Sequence, residues 1–329
     1  MCSCGGSQPQ NPSGGNTGTG GSSKAECKAC TVTLSPKNEK ICGAGNTKDV
    51  TATGSPAGGT YSWSSSDSSV ASVAGSGNKG TITGKAQGTA VITVTYNVAG
   101  CTPCTDTVTV KVCTCTPGRK YAYGLKSKAK LIGVKAKIKT RYGKICCENE
   151  GCSTDTGYHV VYANISNNTG TMIWAQAGYG RERNAGSAAI KSYRYAEMNG
   201  STYKVNYDTA NAPAEGSSHV YQCDLNKATG KWSFSYDGTV WKNFADGAWR
   251  GKTGTDLQYT GEIYNKEDDM PGTAGSKCSF TECQYRVEGK AYTDAGLVAG
   301  NVKSDDAAQW GAEHVSGTAL NIWDKKPIT

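Results

Sequence analysis

Apolar and polar residues alternate along most of this chain in short runs. Ala90, Ile92, Val94 and Tyr96 interleave with Val91, Thr93 and Thr95, and Val108, Val110 and Val112 interleave with Thr107, Thr109 and Lys111. A period of two sends successive side chains to opposite faces, so each run predicts a strand with one buried face. Gly, Ser and Asn punctuate the runs, and about seven such strands fit between Thr31 and Val112, as a sandwich of antiparallel strands. The alternation resumes in Val134-Lys135-Ala136-Lys137-Ile138-Lys139 and in Trp232-Ser233-Phe234-Ser235-Tyr236. No run of helical periodicity interrupts it, and the predicted fold class is all-β.

Composition divides the chain into three. Residues 5–23 hold seven Gly among polar neighbours, too little apolar surface to offset backbone entropy, which predicts a flexible tail over residues 1–26. The small sandwich takes residues 27–116, and residues 114–120, with Thr114, Thr116, Pro117 and Gly118, read as a hinge. Residues 117–329 are strand-rich and hold most of the 18 Tyr and 7 Trp, which predicts one large jelly roll. Apolar stretches run only about four or five residues, too short for a membrane-spanning helix. The N-terminal residues lack the charged and apolar regions of an export signal.

The first segment resembles the bacterial immunoglobulin-like domain, group 2, over about residues 31–112. The resemblance is carried by Val32-Thr33-Leu34, Tyr61-Ser62-Trp63-Ser64-Ser65-Ser66, Ser69-Val70-Ala71-Ser72-Val73, Gly80-Thr81-Ile82-Thr83-Gly84 and Gly88-Thr89-Ala90-Val91-Ile92-Thr93-Val94. It implies a spacer or adhesive module of bacterial surfaces or tailed-phage virions, with Trp63 in the core and no catalytic residue. The second segment resembles concanavalin-like jelly rolls in the hairpin between Gly230 and Trp241 and in the closing run Ala319-Leu320-Asn321-Ile322-Trp323-Asp324. Within that class, Trp174-Ala175-Gln176-Ala177-Gly178 with Tyr195-Ala196-Glu197 is similar to the Gln and Glu strands of fungal glutamic peptidases. Gly261-Glu262-Ile263-Tyr264-Asn265 is similar to a Glu-bearing strand of neprosin-type peptidases.

Fifteen cysteines suggest an oxidising compartment or a metal. Cys27-x-x-Cys30 and Cys101-x-x-Cys104 have zinc-ligand spacing, but a whole domain separates the pairs, so structural disulfides are the favoured reading and no metal ligand is assigned. The topology of an immunoglobulin-like sandwich implies that Cys27 and Cys30 meet Cys101 and Cys104 at one pole, and that Cys42 meets Cys113 or Cys115 at the other. Cys278 and Cys283 are expected to close a hairpin, with Cys146, Cys147 and Cys152 competing for Cys223. The odd count points to Cys2 or Cys4 in the tail as cross-links to a neighbouring chain.

Charge and chemistry refine this picture. Ten Lys or Arg and no acid lie between Arg119 and Lys144, while the whole chain carries +8. Lys135, Lys137, Lys139 and Arg141 share one strand face, read either as a solvated edge strand or as a dock for an acidic partner; nucleic acid is disfavoured because no binding motif accompanies them. His159, His219 and His314 stand in no triad or metal motif. The carboxylate candidates are Glu197, which the glutamic-peptidase resemblance pairs with Gln176 as base and oxyanion partner, and Glu262. Met198-Asn199-Gly200 departs from the aromatic-rich surroundings of that family's Glu, and Arg181, Arg183 and Lys191 depart from an acid-active site. Glu267-Asp268-Asp269 is a candidate calcium loop, and Asn164, Asn167 and Asn199 open glycosylation sequons.

These features favour a non-enzymatic structural protein on the exterior of a tailed-phage virion, a decoration, collar or fibre component joined to other virion proteins and to copies of itself. The alternatives are a secreted or surface-anchored bacterial adhesin or carbohydrate-binding protein, engaging cell-surface glycans, and a glutamic-peptidase-like hydrolase.

Overall fold

The computed structural model describes residues 29–148, 152 and 156–326. The tail expected over residues 1–26 falls outside them, as do Cys2, Cys4 and Cys27.

Eight strands build the first domain: β1 (Thr31–Ser35), β2 (Asn38–Cys42), β3 (Thr47–Ser55), β4 (Thr60–Ser65), β5 (Ala71–Ser76), β6 (Lys79–Gly84), β7 (Gly88–Asn97) and β8 (Cys104–Cys113). They form two sheets, β1-β3-β6-β5 and β2-β8-β7-β4. The strand beyond the expected seven arises at Pro36, which has no N–H to extend a ladder. After it the chain changes sheet, and β2 pairs parallel to β8. The alternation in β7 and β8 is used as read: Ala90, Ile92, Val94, Val108, Val110 and Val112 are buried with Leu34, Ile41, Val50 and Ile82. Trp63 packs against the rim of this core. Tyr96 clamps the β3–β4 turn, accepting from the Gly59 N–H at 2.8 Å and donating to the Pro56 carbonyl at 2.6 Å.

The second domain is organised by β9 (Pro117–Lys139), a 23-residue strand. Its first part pairs with β17 (Gly254–Asn265). A bulge near Lys130, at φ 62°, redirects it. Its second part runs between β14 (Ser218–Asn226) and β19 (Ser276–Val287). One strand therefore serves two layers. The first layer continues from β17 through β10 (Gly157–Asn167), β11 (Ile173–Arg183) and β12 (Ile190–Asn199) to β13 (Tyr203–Asp208). The second takes in β15 (Lys231–Tyr236) and β16 (Thr239–Ala245) on one side. On its other side lie β18 (Gly272–Thr273), β22 (Trp310–Ser316) and β23 (Ala319–Asp324). Two short strands, β20 (Tyr292–Asp294) and β21 (Val302–Ser304), pair with β19 and β9 respectively. Val134, Ala136 and Ile138 of β9 pack with Val161, Trp232, Phe234, Trp249, Tyr259 and Phe280 in the core.

The basic stripe is therefore not on an edge strand. Lys135 and Lys137 sit in the middle of a sheet, paired on both sides. Lys137 lies 3.6 Å from Glu282, Arg141 lies 2.9 Å from Glu215, and Lys135 stands 4.9 Å over the Tyr292 ring. Neighbours supplied by distant sequence thus partly neutralise the stripe; Lys139 shares its half-exposed face.

The disulfides differ most from expectation. Cys30 bonds Cys104, as the pole argument requires. Cys101 is disulfide-bonded too, but its expected partner Cys27 lies outside the described residues. Cys42, however, bonds Cys152 rather than Cys113 or Cys115, and Cys113 and Cys115 bond Cys147 and Cys146. The loop after β9 folds over the far pole of the first domain and brings three cysteines to it. The stretch read as a hinge is consequently anchored at its N-terminal end, by Cys113 just before it and Cys115 within it, and β9 starts within it, at Pro117. Cys278 and Cys283 are free and buried, as is Cys223. The first two lie on one strand, β19, not across a hairpin; five residues of strand span about 16 Å, beyond the ~7 Å a disulfide allows.

Because Cys30–Cys104 closes a loop of 74 residues within one domain, the double variant Cys30→Ser/Cys104→Ser should lose about 2–4 kcal/mol of first-domain stability. Urea unfolding followed at Trp63 would show it. An unchanged midpoint would mean that the bond contributes nothing.

Candidate functional site

One face of the first layer lines a groove of about 550 Å³. The period of a strand decides which residues reach it: Tyr158, Val160, Tyr162, Asn164 and Ser166 from β10, Trp174 and Gln176 from β11, Tyr195 and Glu197 from β12. Strands β9, β13 and β17 add Arg119, Tyr121, Tyr203, Tyr207, Thr260 and Glu262. The register lines up a polar row across four strands, Gln258 opposite Asn164, Asn164 opposite Gln176, and Gln176 opposite Glu197.

That row is chemically directed. Asn164 Nδ2 donates to Gln176 Oε1 at 3.1 Å, which leaves the amide nitrogen of Gln176 to face the other way. Gln176 Nε2 donates to Glu197 Oε2 at 2.7 Å and to the Tyr195 hydroxyl at 3.2 Å. The Tyr203 hydroxyl donates to the second oxygen, Glu197 Oε1. Burial pushes the Glu197 carboxyl up to about 7; the Tyr203 and Gln176 hydrogen bonds pull against this, and the charge of Glu262 adds to it. Glu262 is held elsewhere in the groove. Tyr158 and Tyr162 donate to its two oxygens at 3.0 and 3.2 Å, and Arg119 Nε lies 3.7 Å away. Its carboxyl is also raised by burial, with Arg119 opposing.

The structure thus brings Gln176, Glu197 and Glu262 into one groove, with Gln176 and Glu197 in direct contact. Sequence reasoning missed Asn164, Tyr195 and Tyr203. Asn164 was visible only as the start of a sequon, yet it is buried and bonded inside the groove. The signal available for Tyr195 was its position two residues before Glu197, on the same strand face. Arg181 and Arg183 turn away from the site, to Glu148 and to the Cys146 carbonyl.

The remaining candidates lie outside the groove. Glu267, Asp268 and Asp269 each accept from backbone N–H groups of distant segments, those of Thr116, Cys146 and Lys144. Among the described residues, the groups of three ligand atoms close enough to share an ion consist of cysteines alone, so the three acids do not converge. His159 is fully buried, and burial holds it down to about 3, hence neutral. His219 stacks on Tyr236, and His314 contacts the Leu297 carbonyl.

Residues 29–105 match the bacterial Ig-like domain, group 2. The first domain is a bacterial Ig-like domain. No curated protein matches the chain in sequence. Among solved structures, it is similar to a scytalido-glutamic peptidase with a transition state analog inhibitor, at 13% identity and a TM-score of 0.42 over 64% of this chain and all of that one. It is also similar to a glycoside hydrolase family 16 endo-glucanase from Bacteroides ovatus, at 12% identity and a TM-score of 0.27, over 63% of this chain and 81% of that one. A putative carbohydrate binding protein from Bacteroides ovatus follows at 11% and 0.25, covering 91% of this chain and 99% of that one. At such scores these likenesses carry no argument about chemistry, and the reading of the groove rests on its own geometry. Among the described residues, the Ig-like domain contributes none to that groove.

Removing the Tyr203 hydroxyl takes away a hydrogen bond that favours ionised Glu197. Tyr203→Phe should therefore raise the Glu197 titration midpoint above its present value near 7. Carbon-13 NMR of the labelled carboxyl reads this directly, and a midpoint that stays or falls would contradict the arrangement.

Proposed function

We propose that the second domain is a hydrolase of the glutamic-peptidase kind, displayed outside the cell on a two-domain protein. The Ig-like domain and the disulfides fit an extracellular or surface protein. Among the described residues no helix is long and apolar enough to cross a membrane. The observation that carries the proposal is the 2.7 Å contact of Gln176 with Glu197 in the groove, with Asn164 dictating which way the amide points.

In this reading ionised Glu197 takes a proton from water, and the resulting hydroxide adds to the carbonyl carbon of a peptide bond. The Gln176 amide hydrogen that rests on the Tyr195 hydroxyl turns to the oxyanion. Glu197 then returns the proton to the departing nitrogen, the carbon–nitrogen bond breaks, and the products are a carboxylic acid and an amine. Because the base must be ionised, activity should climb with pH through about 7, rather than peak in strong acid. The test is incubation of the purified chain with a denatured protein across that range, with mass spectrometry of the products. Cleavage with that pH profile supports the proposal, and no cleavage at any pH defeats it.

A second reading is a non-enzymatic structural or adhesive component of an exterior surface, a virion or a cell. It is favoured by the three bonds that lock the Ig-like domain to the jelly roll. Cross-linking to neighbours through Cys2 or Cys4 would show as multimers of native assemblies on non-reducing gels, and monomer alone would exclude it.

A further inference from the structure

At the junction of the two domains six cysteine sulfurs form one continuous cluster. Beyond the three bonded pairs, Cys147 Sγ lies 3.5 Å from Cys115 Sγ and 3.6 Å from Cys146 Sγ. Cys113, Cys147 and Cys152 form one triangle of sulfurs within 4.8 Å of one another, and Cys115, Cys146 and Cys147 form a second. Cys147 belongs to both. Cys42, bonded to Cys152, stands beside the first triangle. Four of the six residues are buried.

Thiolates around a tetrahedral zinc lie about 2.3 Å from the metal, and hence about 3.8 Å from one another. The spacings between unbonded sulfurs here already approach that value. We propose that the reduced form of this cluster is a binuclear thiolate site for a soft closed-shell cation, zinc being the representative. Cys113, Cys147 and Cys152 supply the three sulfurs already grouped for one site, and Cys42, released from Cys152 by reduction, reaches in as the fourth. Cys115, Cys146 and bridging Cys147 supply three ligands to the second.

Every cysteine leaves the ribosome as a thiol, so the two forms are alternative endpoints chosen by the redox state around the chain. A dithiol reductant converts the three disulfides to six thiols by delivering six electrons and six protons, and three dithiols become disulfides. Two zinc ions then displace six protons from the thiols. Either endpoint ties the Ig-like domain to the jelly roll, because Cys42 and Cys113 belong to the first and Cys146, Cys147 and Cys152 to the second. The inference is independent of any activity in the groove.

The test uses the full chain, kept under a phosphine reductant without oxygen and loaded with zinc or cobalt(II). The reduced protein should retain about two zinc ions through desalting, and the cobalt form should show sulfur-to-metal charge-transfer absorption. Cys147→Ser should retain at least one ion fewer than the parent. A second measurement covers variants that fail to fold: in the wild-type chain, zinc should slow alkylation of these six cysteines at least tenfold. Reduced protein that retains no zinc, or zinc that protects no member of the cluster, would overturn the proposal.

Discussion

Replacing Glu197 by Gln should lower hydrolysis by about two to four orders of magnitude while the domain stays folded. The substitution keeps the shape and removes the group that accepts the proton of water. The hydrogen bonds from Gln176 and Tyr203 now meet an amide rather than a carboxylate. Linkage supplies the control on folding. The folded-state value of Glu197, about 7, lies above its ordinary 4.5. Ionising this carboxyl therefore opposes the fold; the cost is absent below pH 4.5, grows as pH rises towards about 7, and is constant beyond. Glu197→Gln removes that cost, so the variant should melt no lower than the parent above neutral pH. Gln176→Ala is the companion. It removes the oxyanion donor and should reduce kcat by ~10²–10³-fold. Activity that survives Glu197→Gln would refute the proposed mechanism, whatever the groove binds.

The largest stability effect is expected at Gly178, two residues along β11 from Gln176. A Cβ there would fall 1.8 Å from the Val161 carbonyl oxygen and 2.8 Å from the Tyr162 Cα. Both are backbone atoms of the paired strand β10, so no rotamer can relieve the clash. Gly178→Ala must push the β10 and β11 ladders apart at the centre of the layer, beside the Asn164–Gln176 contact. The expected loss is about 4 kcal/mol or more, in the range reserved for strained backbone and overpacked cores. By contrast, at Gly238 (φ 80°) nothing lies within 4 Å of the position a Cβ would take, so only the left-handed backbone resists Ala there, a milder cost of about 1–2 kcal/mol. Thermal melts of the two variants should rank accordingly. Equal melting temperatures would show that the β10–β11 spacing tolerates a methyl group.

Much of the fold was legible because a strand's period is local. The alternation of Val108, Val110 and Val112 needs no knowledge of what they pack against, and the same is true of Val134, Ala136 and Ile138. The groove was legible in pieces for the same reason: Gln176 and Glu197 occupy recognisable strand phrases. What joined them was register, and register depends on how many residues each intervening turn consumes. Asn164 and Tyr203 gained their roles only by ending up beside that pair.

The cysteines were the least legible part. Cys30–Cys104 followed from the poles of a sandwich, a property of one domain. The pairing of Cys42 with Cys152 spans 110 residues and two domains, and no local pattern encodes how a loop of one domain drapes over another. The basic stripe shows the same limit, since Glu282 and Glu215 arrive from far along the chain.

The sequence by itself determined that this protein is all-β and, for its clearly alternating runs, which face is buried, because side-chain alternation is a property of neighbours. Only the tertiary structure decided which polar residues share a groove, which sulfurs meet and which lysines are balanced. Those are contacts between residues far apart in the chain, and their partners are chosen by sheet order and domain docking.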